Sequence, residues 1–128
     1  MSTNCGIAVK VCEGGYKTVY CHWGGYPEYM YPLLRDWYGT KERADALVSF
    51  GDASYISKRL VPSIDSGHSF NNPEKGVSVF YHRDRQEPWQ SVAPKICTLA
   101  RILKDYEYVY IFENDSWSCY EVGEKLDY

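Results

Sequence analysis

The chain has 128 residues, 45% of them hydrophobic and 24% charged, which matches one ordinary globular domain and excludes the low-hydrophobicity, high-charge composition of disordered chains. No run of 18 apolar residues occurs, and the opening Met-Ser-Thr-Asn-Cys lacks a basic-then-apolar pattern, so the sequence predicts a chain that is neither exported nor membrane-spanning. A net charge of −3 argues against general nucleic-acid affinity.

In chain order, Gly6 to Cys12 alternates Ile7, Val9 and Val11 on one face, Glu13-Gly14-Gly15 supplies turn residues, and Lys17 to His22 resumes the alternation, which predicts a β-hairpin. Val19 and Cys21 share a face of the second strand, so Thr18, Tyr20 and His22 point the other way. Trp23-Gly24-Gly25-Tyr26-Pro27 breaks the strand, because the glycines open positive φ and proline cannot continue a ladder. Tyr31, Leu34 and Tyr38 lie at helical spacing, with Pro32 better suited to a first turn and Gly39 as a stop. Thr40 can cap a second helix to about Phe50, with Ala44, Leu47 and Val48 as its apolar stripe.

Residues 52–75 are rich in turn formers and predict a long, partly ordered connection, of the kind that is functional or mobile. Val77 to His82 alternates as a third strand ending in histidine, followed by Arg83-Asp84-Arg85. Pro94 suits the start of a helix carrying Ile96, Leu99, Ala100 and Leu103. Tyr106 to Phe112 and Trp117 to Val122 flank Asn114-Asp115-Ser116 as a final hairpin. The order predicts a single α+β domain over 1–128: a mostly antiparallel five-stranded sheet, two hairpins plus one strand, with about three helices packed on one face.

Three side-chain groups carry possible chemistry. His22, His68 and His82 could hold zinc with one open position, yet no tight ligand motif such as His-x-x-x-His occurs, and no metal or other cofactor is expected. His22 or His82 as a base, with Arg83 or Arg85 on a phosphate, would fit phosphodiester cleavage; His-Arg-Asp-Arg reads equally as a solvated, self-paired charge cluster. Finally, 13 tyrosines and 4 tryptophans demand an account. If Val109 and Ile111 enter the core, Tyr106, Tyr108 and Tyr110 form an outward row suited to recognition, while burial of the row with cross-strand pairing is the competing arrangement. Trp23 and Tyr26 could grip a partner or a base, or pin their loop to the core.

The five cysteines are odd in number and scattered, and read as small buried hydrophobes in a reducing compartment. Residues 1–104 carry a balance of +3 and residues 105–128 a balance of −6, so the final hairpin is an acidic edge, a feature that protects exposed strands or binds a partner.

Tyr20-Cys21-His22-Trp23-Gly24-Gly25-Tyr26-Pro27-Glu28, Gly51-Asp52, His68-Ser69-Phe70, Asn72-Pro73, Gly76-Val77, Tyr81-His82-Arg83-Asp84-Arg85, Tyr108-Val109-Tyr110 and Trp117 together resemble a family of small phage and mobile-element proteins, over nearly the whole chain. That family usually has aspartate where this chain has Gly24, so any role of that carboxylate is absent here. The resemblance implies a phage or mobile-element origin and so the cytoplasm of an infected bacterial host; with the tyrosine-rich strands, the acidic edge and no catalytic motif, the expectation is an accessory protein that binds and inhibits a host defence component, of anti-CRISPR or other anti-defence type, without catalysis. The alternative is a protein that binds or cleaves an immune signalling nucleotide. Binding residues on these readings are His22, Trp23, Tyr26, His82, Arg83, Arg85, Tyr106, Tyr108 and Tyr110. The sequence leaves the oligomeric state open, a dimer included.

Overall fold

A computed structural model describes residues 3–128. The first hairpin forms as its alternation dictates: β1 (Cys5–Cys12) and β2 (Gly15–Cys21) pair antiparallel with Ile7 opposite Val19 and Cys5 opposite Cys21. Helix α1 (Pro27–Trp37) starts at Pro27, whose missing N–H costs nothing in a first turn. Pro32 lies inside it rather than in its first turn. Helix α2 (Lys41–Ser49) is capped by the Thr40 hydroxyl, which accepts from the Arg43 N–H at 3.2 Å.

Beyond α2 the chain departs from the expected pattern. Strand β3 (Ala53–Tyr55) has three residues and β4 (Val79–Phe80) only two. The alternation from Val77 does not run to His82, because the chain turns into the short helix α3 (Tyr81–Arg85), where the Asp84 carboxylate accepts from the Phe80 N–H at 2.8 Å. After α4 (Trp89–Val92), Lys95–Cys97 forms strand β5, so helix α5 (Leu99–Asp105) begins at the Thr98 cap and not at Pro94. The closing hairpin joins β6 (Tyr108–Glu113) to β7 (Ser116–Glu121) through Asn114 and Asp115, both at positive φ, as a tight primed turn requires. A two-residue β8 (Glu124–Lys125) ends the sheet.

The fold is α+β, but the five-stranded, mostly antiparallel sheet with three helices on one face is overturned. There are eight strands in one mixed sheet, ordered β4-β3-β2-β1-β6-β7-β8, with β5 also on β2, and five helices among the described residues. Strands β1 and β6 are parallel, as are β2 and β3. Parallel partners far apart in sequence leave no periodic trace, and strands of two or three residues are too short to show alternation.

Both faces of the sheet are covered. Ile7, Val9, Val19, Cys21, Tyr110 and Phe112 meet Met30, Leu34, Leu47 and Val48 of α1 and α2 in the larger core. On the opposite face Ala8, Tyr16, Val109 and Ile111 pack with Ile102 of α5. Cys5, Cys21 and Cys119 are buried, whereas Cys12 is exposed and Cys97 half-buried, so the cysteines are not uniformly core residues. Among the described residues no helix is long and apolar enough to cross a membrane.

Candidate functional site

The outward face of β2 builds the first part of the site. Thr18, Tyr20 and His22 share the face opposite Val19 and Cys21, and α5 covers only part of it. Tyr20 and His22 are joined through the phenol oxygen and Nδ1 at 2.5 Å. The Tyr20 N–H donates to Asp52 Oδ1 at 2.9 Å, and His22 and Trp23 N–H donate to the Ala53 and Ser54 carbonyls, which extends the β2/β3 pairing past the end of the strand. Edge-to-face contact places the Trp23 ring 4.9 Å from His22.

The loop that follows holds its aromatic rings open on a pinned backbone. Gly25 N–H donates to Thr3, and Gly25 C=O accepts from the buried Tyr110 hydroxyl at 2.7 Å. A Cβ on Gly25 would stand 2.7 Å from the Asn4 carbonyl, so only glycine permits this approach. Gly24 has φ of 72°, and a Cβ there would meet the Tyr29 ring at 3.0 Å. With the backbone so held, Trp23 is 45% exposed, Tyr26 44% and Tyr29 37%. Tyr26 and Tyr29 lie 6.1 Å apart, and the Tyr29 hydroxyl donates to the Ile56 carbonyl at 2.6 Å.

The remaining candidates are scattered. His82 is exposed on α3, with Nδ1 2.8 Å from the Glu87 carbonyl, to which it donates, and its ring 5.1 Å from Trp89. No hydrogen bond or ring contact joins it to His22 among the described residues. Arg83 turns inward: it donates to the Leu60 carbonyl, to Ser78 C=O at 2.8 Å and to Asp84, and lies over the rings of Phe50 and Phe80. Arg85 lies over Phe70 and Tyr81 and pairs with Glu87 at 3.4 Å. Arg83 is therefore not free to clamp a phosphate beside the histidines, and Arg85 is held over its two rings.

His68 is likewise structural. Its side chain is 2% exposed, Nδ1 accepts from the Glu74 N–H at 2.9 Å, and Nε2 faces Asp84 at 3.2 Å. That contact is close enough for an ion pair but is not aligned as a hydrogen bond. The Nδ1 acceptor role assigns the ring proton of the neutral imidazole to Nε2. Among the described residues no group of three or more His, Cys, Asp or Glu side chains could hold a metal ion.

The outward tyrosine row is overturned. Tyr110 is wholly buried in the larger core, Tyr108 packs against that core, and Val109 and Ile111 fill the opposite one, because β6 is a central strand with both faces covered. Tyr106 precedes β6 and lies across Gly6 on the α5 side, its ring 6.3 Å from Tyr20. Burial, with Asp52 and Asp105 nearby, pushes its phenol up to about 12.

Asp52, Lys95, Thr98 and Arg101, which sequence reasoning did not single out as site residues, join Tyr20 and Tyr106 to complete the site. Between β2, β5 and α5 lies a cleft of about 540 Å³ lined by Tyr20, Asp52, Lys95, Thr98, Arg101 and Tyr106 among others. Gly51-Asp52 was visible only as part of a resemblance, and nothing in the spacing of Lys95 and Arg101 announces a cleft. Trp23, His22, Tyr20 and Tyr106 form a continuous run of ring contacts from the exposed loop to its wall. These features define the chain as a mixed-sheet α+β protein with an aromatic surface and an adjoining polar cleft. Comparison with known proteins finds no family model that matches it, and no curated protein or solved structure similar to it.

Proposed function

We propose that this chain is a non-catalytic binding protein, a phage-type accessory protein that occludes a bacterial host protein of a defence system through the surface formed by His22, Trp23, Tyr26 and Tyr29. The observation that carries the reading is the combination of open rings with a fixed backbone. Exposed aromatic side chains on a mobile loop would lose entropy on binding, whereas here the loop is already ordered by Thr3, Asn4 and Tyr110. Tyrosine and tryptophan at the centre of an interface supply large contact area with few torsions to freeze.

Catalysis through His22, His82, Arg83 and Arg85 gains no support, since Arg83 is bound into the interior and, among the described residues, no hydrogen bond or ring contact joins the two histidines, which lie on different elements. The acidic final hairpin adds a charge that favours a basic partner surface. The test is capture from bacterial lysate with the tagged full chain. Trp23→Ala and Tyr26→Ala should each weaken capture by about 2 kcal/mol or more while leaving the melting temperature nearly unchanged. Equal capture by both variants rejects this surface, and recovery of no protein at near-equal amounts rejects the function.

A further inference from the structure

The cleft beside the aromatic surface has its own chemistry. Its wall is the Tyr20/Tyr106 pair, and the close fit of Tyr106 over Gly6 keeps that wall in place. On its lining Asp52 is half-buried, with Oδ1 accepting from the Tyr20 N–H, while Oδ2 has no protein donor among the described residues. A carboxylate drawn from water with an acceptor open is suited to a ligand that brings N–H groups. Lys95 on the lining is exposed and its charge acts on Asp52, and Arg101, also on the lining, has Nε on Asp105 at 2.9 Å, which leaves its other N–H groups open.

The cleft therefore brings together an open carboxylate acceptor, two aromatic rings and two cations. A ligand that matches must carry adjacent N–H donors, a planar body and negative charge. We infer that this cleft binds a guanine nucleotide, with the N–H edge of the base on Asp52, the base against Tyr20 and Tyr106, and the phosphate at Lys95 and Arg101. The volume falls within the range of about 300–1,000 Å³ typical of small-ligand pockets. Guanine presents two neighbouring N–H donors to a carboxylate; adenine presents one exocyclic amine flanked by acceptors, which a carboxylate repels. This site is separate from the surface proposed for the protein partner and does not depend on it.

Titration calorimetry of the full chain with guanosine monophosphate, adenosine monophosphate, guanosine and inorganic phosphate tests the assignment. Guanosine monophosphate should bind saturably below about 1 mM, and adenosine monophosphate at least about tenfold more weakly. Asp52→Asn retains an oxygen for the Tyr20 N–H but loses the carboxylate, and should weaken guanosine monophosphate by about tenfold or more. Lys95→Gln, on the exposed rim, should weaken the nucleotide and leave guanosine unchanged. No saturable binding at millimolar nucleotide, equal affinity for the adenine nucleotide or for phosphate alone, or unchanged affinity in the Asp52→Asn and Lys95→Gln variants would each overturn it. Because Trp23 lies outside the cleft, Trp23→Ala should bind nucleotide normally, so failure here and failure of partner capture are read separately.

Discussion

Gly6 shows how much one missing side chain decides. Tyr106 lies flat across it, and a Cβ built there would stand 2.6 Å from a ring carbon. Gly6→Ala must therefore displace the ring or the strand, and should destabilise the protein by about 1–3 kcal/mol in urea unfolding, with the cleft reshaped. Tyr110 makes the converse point. Its hydroxyl is buried and donates to the Gly25 carbonyl, and burial keeps its phenol far from ionising. Tyr110→Phe fills the same volume but leaves that carbonyl without its donor, so a loss of about 1–3 kcal/mol is expected. Hydrogen exchange at Gly25 and Tyr26 should rise in the same variant, because the tie that orders the aromatic loop is gone.

Among elements, the long connection between β3 and β4 is tied by polar contacts. Arg59 pairs with Glu74, and Glu74 also accepts from the Ser63 N–H at 2.9 Å and the Ser63 hydroxyl at 2.9 Å. The Ser63 N–H above all, then Arg59 and the Ser63 hydroxyl, holds the Glu74 carboxyl down to about 2, from an ordinary 4.5. Burial would raise the Asp84 carboxyl, but hydrogen bonds from Arg83 and the Phe80 N–H, with the His68 ring close by, together outweigh it and hold it below the usual range.

Both carboxyls bind protons less readily folded than unfolded. Their stabilisation is complete above the unfolded values and is lost as pH falls through the folded ones. The melting temperature should fall as pH drops from 4.5 towards 2, and Glu74→Gln should flatten that fall. Asp84→Ala leaves the inward guanidinium of Arg83 without its counter-charge, and a loss of about 2–4 kcal/mol is expected, with proteolytic nicking between residues 56 and 78.

At the scale of the molecule, one sheet serves two cores. Leu47 of α2 is wholly buried on one face and Ile102 of α5 is 1% exposed on the other. Since β1 and β6 contribute to both, neither core can open without the other. Leu47→Ala and Ile102→Ala should each cost about 2–5 kcal/mol and shift a single transition, coincident by far-UV circular dichroism and tryptophan fluorescence. Two separate transitions would show that the faces unfold independently.

What the residues determined alone is local. The alternation of β1 and β2, the Thr40 cap, the Asn114-Asp115 turn and the outward pointing of Tyr20 and His22 all follow from neighbours a few positions apart, and were legible as such. The parallel joining of β1 to β6 was not legible, and it is what overturned the outward tyrosine row: once β6 is central, both of its faces must be apolar or satisfied, and Tyr110 is drawn into the interior. The same holds for the site. Trp23 and Tyr26 stand out in the sequence, but Asp52, Lys95 and Tyr106 come from three separate segments, and their cleft exists only because β2, β5 and α5 meet. Periodicity records what a residue's near neighbours require; which distant strand covers it is decided by long-range burial, and that has no local signature.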